Sequence, residues 1–317
     1  DAPLIASAIV TAFKKLAGTA WGWQTEQYIR QAALAVVGIP ATTLVSLHRF
    51  LIDPHYRTAL VPRIENALVR SFWEQVFPAK SARQQAEELS ATLNKIGAFI
   101  SNPLLANVVG QRRTHLRLRH VMDEGQILIV NLAKGRVGED AARLFGSLLV
   151  TQLQLDAMRR GELPPEQRRP FYTYVDEFST FATESFAASF SEARKFGLGI
   201  TAALQFLDQC DEPTLGALLG NAGTFCAFQS GQRDAELLAS LYGPPLTPHD
   251  FQALPPFECY ARLYSHPRQP FLLHTLKPRS FGPGRQDPVV VRRTSHHRYA
   301  RPEADVTAEL REALMAA

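Results

Sequence analysis

Phe171-Tyr-Thr-Tyr-Val-Asp-Glu177 is a short, mostly apolar run that closes on two adjacent carboxylates, Asp176 and Glu177. Its aromatic and β-branched residues predict a strand, and the acids mark the strand's carboxyl end. This is the form of a Walker B segment, in which a strand delivers an acid to a nucleotide-bound Mg²⁺ and a second acid to the attacking water. Taken alone, the doublet fits equally a pair of solvated acids where a strand meets a loop, because functional and merely hydrated residues both collect there. The partner motif is missing. No Gly-x-x-x-x-Gly-Lys-Ser/Thr and no Gly-Lys dipeptide occurs in the sequence, so the phosphate-cradling half of such a site is not written in these residues.

Working outward, the flanking pattern alternates. Gln126-Ile-Leu-Ile-Val-Asn131 carries the continuous apolar run of a doubly covered parallel strand. An amphipathic helix is expected over about 139–160, with Leu144, Leu148 and Leu155 on one side. A second helix is expected over about 180–196, with Phe186 and Phe190 one turn apart. Further strands are expected at 198–204, 224–228, 259–264 and 271–275, with a helix at 234–241. This alternation predicts an α/β sheet with crossover helices. Residues 4 to about 109 read differently, as helices with short connections. Ile5, Ile9 and Phe13 recur at helical spacing, as do Ile29, Ala33 and Val36, and Ser81-x-x-Gln84 is a capping box. Trp21, Trp23 and Trp73 all fall in this half, where core anchoring is the default expectation and stacking on DNA the alternative. The last 40 or so residues are basic and Pro-containing and end in a short helix near 306–315.

With 317 residues, 46% of them hydrophobic, the chain can build one large domain or two ordinary ones. The 34 Lys and Arg against 30 Asp and Glu give a formal charge of +4, which permits a nucleic-acid partner without demanding one. The three cysteines, Cys210, Cys226 and Cys259, have no CxxC spacing and read as free thiols of a reducing compartment. There is no run of 18 apolar residues and no signal peptide. The first residue is Asp1 rather than Met, which suggests a fragment or a processed protein.

Other residues qualify as candidates by position. Gln205 ends the strand after Asp176, where ligands of open α/β sheets bind. Its neutral amide suits contact with a γ-phosphate or a water, and a solvated glutamine is the plainer alternative. Arg194, in Ser191-Glu-Ala-Arg-Lys-Phe196, has the chemistry of an arginine finger. A basic residue in a last helical turn is also favoured by the dipole alone. Arg112 and Arg113, with Arg117 and Arg119 close by, and Lys134 and Arg136 after the strand at 126–131, are candidate DNA contacts. The same holds for the run Lys277, Arg279, Arg285, Arg292, Arg293, Arg298 and Arg301, although a solvated tail is the commoner meaning of such a run. His296-His297 has no third metal ligand nearby in sequence.

Taken together these segments resemble the conjugative coupling proteins of type IV secretion (TraG/TraD-like), in the FtsK/HerA-like branch of RecA-type ATPases. The stretches that carry the resemblance are Gly125 to Gly135, Phe171 to Phe178, Ser191-Glu-Ala-Arg-Lys195, Ala203-Leu-Gln205 and Gly220-Asn-Ala-Gly-Thr224. The resemblance covers about residues 4–276. It implies an all-helical domain over 1–110, a RecA-like (P-loop NTPase) motor domain carrying the Walker B half over 111–276, and a basic tail with a short terminal helix over 277–317. The fold class expected is therefore α/β, a partial RecA-like sheet with an N-terminal all-helical domain.

The same resemblance implies that Asp176 holds Mg²⁺ through the nucleotide, Glu177 activates water, Gln205 senses the γ-phosphate and Arg194 acts in trans. The cofactors implied are ATP and Mg²⁺ in the complete protein. The partners implied are DNA, a relaxase or a secretion-channel protein, and further copies of the chain in a homo-hexamer. The location implied is cytoplasmic, with membrane association through a region outside these residues or through partners. Because the Walker A motif lies upstream of Asp1 or is lost, residues 1–317 by themselves are expected to be inactive as an ATPase. The runner-up is a non-hydrolysing module that binds DNA or a relaxase on the same fold. A related motor for pilus assembly or genome packaging is a third, weaker reading.

Overall fold

The computed structural model describes residues 2–182, 190, 192–276 and 287–315. The chain divides into two compact units, residues 1–160 with 289–317, and residues 161–288. The boundary between units falls after Arg160, whereas the change in sequence pattern falls near Gln111.

The first unit is helical. Its elements are α1 (Ala2–Ala17), α2 (Trp23–Val37), α3 (Leu44–Ile52), α4 (Pro54–Leu60), α5 (Ala67–Ser71), α6 (Ala82–Ile100), α7 (Pro103–Val109), α8 (Leu118–Asp123), α9 (Lys134–Val137) and α10 (Glu139–Arg159). Most of the helical spacings read from sequence are buried: Ile9, Phe13, Ile29, Ala33 and Val36 all lie in one core with Leu144 of α10, and Ile5 packs against it partly buried. Helix starts follow cap chemistry. The Ser81 hydroxyl accepts from Gln84 N while the Gln84 side chain accepts from Ser81 N, so the capping box opens α6 as expected. Asn102 accepts from Leu104 N and Leu105 N, with Pro103 at the first helical position of α7.

A π turn, Phe72–Val76, continues α5 and carries Trp73 into the core. The Trp73 ring stands edge-on to Phe50 at 4.9 Å, and its indole N–H donates to Gln31 O at 3.3 Å. A buried tryptophan of this kind needs both an apolar bed and a partner for its N–H. Trp23 departs from the core expectation. It opens α2 on the outward side and is 77% exposed.

Two later pieces complete this unit. α10 runs where the amphipathic pattern placed it and ends beside Arg160, which is fully buried and pairs through Nε with Asp123 Oδ1 at 3.1 Å. Asp123 also takes Arg119, at 3.4 Å. Near the C-terminus, after α15 (Pro288–Tyr299), α16 (Glu303–Met315) packs Val306 and Leu310 against Val45.

The predicted strand at 126–131 is not formed. The residues carry no regular secondary structure and pair with no strand among those described, and Ile127 and Ile129 are 92% and 83% exposed. A strand exists only through its ladder, so an apolar run with no neighbour to bond stays coil whatever its composition.

The second unit holds the strands. β1 (Phe171–Val175) pairs in parallel with β2 (Leu198–Ala202), from Phe171 opposite Leu198 to Val175 opposite Ala202. β3 (Thr224–Ala227), β4 (Glu258–Leu263) and β5 (His266–His274) form a separate antiparallel sheet in the order β3-β4-β5. The sequence pattern predicts one sheet; among the described residues there are two, with no ladder joining β2 to β3. The remaining helices here are α11 (Phe178–Phe181), α12 (Glu212–Asn221), α13 (Gln232–Tyr242) and α14 (Pro248–Gln252). The helix expected over 180–196 falls largely outside the described residues, Phe186 included; Phe190 packs edge-on to buried Phe178 at 5.6 Å. Beside β3 and β4, Tyr242, Phe251 and Tyr260 pack edge-on in series, and Tyr242 donates to Tyr260 O at 2.9 Å. Burial there raises the Tyr242 phenol pKa well above its usual value.

Candidate nucleotide site

β1 and β2 run in the same direction and in register, so their carboxyl ends share one edge of the sheet. The ladder continues past the strands: Ala203 N donates to Val175 O at 3.0 Å, and Phe178 N donates back to Ala203 O at 2.9 Å. Between those two bonds the chain must turn sharply, and the turn is Asp176-Glu177. Glu177 takes up the left-handed conformation, φ 48° and ψ 47°. A non-glycine residue there costs about 1 kcal/mol or more, and such strain collects at functional positions. Asp176 is exposed, and its Oδ1 accepts from Glu177 N at 2.9 Å. Gln205, three residues past the end of β2, is exposed at the same edge.

Arg194 is elsewhere. It lies in a 3-10 turn, Arg194–Phe196, before the start of β2. At a rise of about 3.3 Å per residue a five-residue strand separates its ends by roughly 13 Å. The structure thus gathers Asp176, Glu177 and Gln205 at one edge and leaves Arg194 at the opposite one. The turn holding Arg194 is fixed locally. Arg168 donates to Lys195 O at 2.5 Å and to Gly161 O at 3.1 Å. Gly197 has φ 70°, and a Cβ there would come within 3.3 Å of Arg168 O.

A cleft of about 760 Å³ runs along β2, with Arg194 at one end and Gln205 at the other, and with β3 as its far wall. Sequence reading missed it, along with Asp234, which lines it and accepts from Leu207 N at 3.2 Å. Asp234 was visible only as an acid in the first turn of a helix.

The basic candidates among the described residues belong to the first unit or its C-terminal helices. Arg112 lies 3.9 Å from Glu309 of α16, which also holds Arg301 at 2.7 Å. Arg119 is tied to Asp123 and donates to Arg159 O. Arg113, Lys134 and Arg136 are exposed, the last two on α9. Arg292, Arg293 and Arg298 stand on α15, which has no buried residue, while Lys277, Arg279 and Arg285 lie outside the described residues.

Solved structures with this architecture are known. The chain superposes on the bacterial conjugative coupling protein TrwBdeltaN70, unbound monoclinic form, with a TM-score of 0.61 at 14% identity, covering 93% of this chain and 70% of that one. TrwB in complex with the ATP analogue ADPNP matches with a TM-score of 0.61 at 15% identity, over 89% and 70%. TrwB with ADP and Mg²⁺ matches at 0.60 and 14%, over 88% and 70%. The chain has the fold of a conjugative coupling protein. No protein-family model and no curated protein matches it.

Within the coupling-protein fold, the donors present suit one kind of metal site. Among the described residues no three His, Cys, Asp or Glu side chains gather as a cage, so His296-His297 gains no partner there. Mg²⁺ does not require a cage. It is commonly held by one or two carboxylates plus phosphate oxygens and water, and the exposed Asp176 carboxylate at a strand end is a donor of that type. Among the described residues no helix is long and apolar enough to cross a membrane.

Proposed function

We propose that residues 161–288 hold the Walker B half of an ATP-hydrolysing site. The chain is then the C-terminal part of an ATP-driven DNA translocase that couples conjugation to type IV secretion. The observation that carries this reading is the shared edge. Two parallel strands in register present Asp176, Glu177 and Gln205 together where open α/β sheets bind ligands. In this reading Asp176 would hold Mg²⁺ bound to ATP, which neutralises phosphate charge. Glu177 orients and polarises the attacking water, and Gln205 contacts the γ-phosphate. Arg194, at the far end of β2, serves a neighbouring subunit of a hexamer rather than its own site. The phosphate-cradling loop comes from sequence outside residues 1–317, and the protein works on the cytoplasmic side of the membrane, with DNA and a relaxase or secretion-channel protein as partners.

The test is ATP turnover. Residues 1–317 are expected to show none, because no backbone cradle holds the β- and γ-phosphates. The chain joined to a segment bearing Gly-x-x-x-x-Gly-Lys-Ser/Thr is expected to hydrolyse ATP and to lose that activity in Glu177→Gln. Turnover by residues 1–317 that Glu177→Gln abolishes would sink the half-site reading. The missing motif favours one competing reading, a non-hydrolysing DNA- or relaxase-binding module. That reading prevails if the joined chain binds DNA but turns over no ATP.

A further inference from the structure

Gln205 sits in a stretch of chain that is anchored on both sides. Before it, Ala203 is tied to the first sheet through both backbone groups: its N–H donates to Val175 O at 3.0 Å, and its oxygen accepts from Phe178 N at 2.9 Å. After it, Leu207 N donates to Asp234 Oδ2 at 3.2 Å. The Leu207 side chain packs against the core beside β3 and β4, formed by Ala227, Ala235, Leu238, Tyr242 and Phe251. Only Leu204, Gln205 and Phe206 lie between the two anchors. Gln205 therefore bridges the Asp176-Glu177 edge and the core of the second sheet.

Asp234 is the polar anchor on the far side. It stands in the first turn of α13, where the helix dipole favours an acid whatever else that acid does. Its carboxylate is not spent on its own helix start alone, because it reaches the backbone of the loop that carries Gln205. An ionised acceptor makes a bond roughly twice as strong as a neutral one. Two other contacts hold the same 3-10 turn, Leu207–Gln209. Arg233 pairs with Asp208 at 3.0 Å, and Ser179 Oγ meets Gln209 Oε1 at 3.3 Å. Both are solvent-exposed, and exposed contacts hold little. Asp234 is half-buried and lines the cleft with Gln205.

We propose that Asp234 is a positioning residue for ATP hydrolysis: by fixing Leu207 it sets where the Gln205 amide stands at the γ-phosphate. Asp234 itself touches no phosphate. The assignment rests on the γ-phosphate contact of Gln205 given under the proposed function. Three residues between fixed points have little freedom; with one end released the amide wanders, and a reacting geometry lost in this way is lost in kcat rather than in KM.

The test uses residues 1–317 joined to the segment bearing Gly-x-x-x-x-Gly-Lys-Ser/Thr, with Asp234→Ala, Asp234→Asn, Gln205→Ala and the Asp234→Ala/Gln205→Ala double variant. Asp234→Ala is expected to lower kcat about tenfold and to leave the KM for ATP within about twofold. Asp234→Asn keeps an oxygen for Leu207 N and should retain most of the rate. In the Gln205→Ala background, Asp234→Ala should cost nothing further, because both changes remove one function. A second readout needs no change at Asp234. ADPNP with Mg²⁺ should slow hydrogen exchange at the Leu207 amide in the wild type and not in Gln205→Ala, which decides the matter even if Asp234→Ala does not fold.

An unchanged kcat in Asp234→Ala, losses that multiply in the double variant, an asparagine variant as slow as the alanine one, or a Leu207 amide indifferent to nucleotide each overturns the assignment. In those cases the wild type still turns over ATP and Glu177→Gln still abolishes it, so the ATPase reading stands. A wild-type joined chain without turnover sinks that reading and this assignment with it.

Discussion

At the residue scale, Glu177 combines two roles that substitution can separate. Its backbone is left-handed, which glycine tolerates and a β-branched residue does not. Glu177→Gly should therefore unfold no earlier than the wild type in a urea titration, while Glu177→Val should lose at least about 1 kcal/mol relative to Glu177→Gly. A valine variant as stable as the glycine variant would show that the turn is not held in that conformation.

A second residue-scale prediction concerns Glu88, which accepts from Lys80 and Tyr28, with Lys80 also donating to Tyr28 at 3.1 Å. Lys80 first, then Tyr28, holds the Glu88 carboxyl below its usual pKa of 4.5, and the same contact raises Lys80. A depressed carboxylate stabilises the fold fully above its unfolded pKa and loses that contribution as pH falls through the folded value. The stability gap between wild type and Glu88→Gln should be constant near neutral pH and close below pH 4.5, as acid melts of the two proteins would reveal.

At the scale of elements, capping and close packing set the limits. Ser81→Ala removes the reciprocal cap of α6 and should cost about 1 kcal/mol by chemical denaturation, with Ser81→Thr restoring most of it. Gly110 follows α7 directly. A Cβ there would meet Leu310 of α16 and would lie 2.5 Å from Ala106 O. The backbone oxygen cannot step aside as a side chain can, so Gly110→Ala should destabilise by about 1–3 kcal/mol and loosen α16, visible as faster proteolysis after residue 300. The helical elements were largely legible, because period and caps are local properties. The capping box at Ser81 and the spacing of Ile9 and Phe13 needed no partner to be read. The strand at 126–131 was misread for the converse reason: its composition fits a strand, but pairing is not local, and nothing among the described residues pairs with it.

At the scale of the whole molecule, the basic candidates differ in what they face. Of the basic candidates, Arg112 and Arg119 are drawn into ion pairs with Glu309 and Asp123, while Arg113, Lys134 and Arg136 stand exposed. If the exposed three meet DNA phosphates, each contributes about 0.9 to the slope of log affinity against log salt. Replacing all three by alanine should lower that slope by roughly 2–3 for any duplex sequence, measured by fluorescence anisotropy between low and moderate salt. Replacing Arg119 should leave the slope unchanged and instead reduce stability, since its charge supports Asp123 beside buried Arg160.

The sequence by itself determined the helical half, the caps, the acid doublet and the absence of a phosphate-binding motif, because each depends on residue order over a few turns of chain. The alternation around Asp176 was enough to place Gln205 at the same edge, since strands joined by a crossover run in parallel. Tertiary structure alone decided the rest. It turned Glu177 left-handed, left Ile127 and Ile129 in solvent and split the described strands into two sheets around an open cleft. Those outcomes turn on which strand edges find partners, a long-range property that hydrogen bonding settles and composition does not.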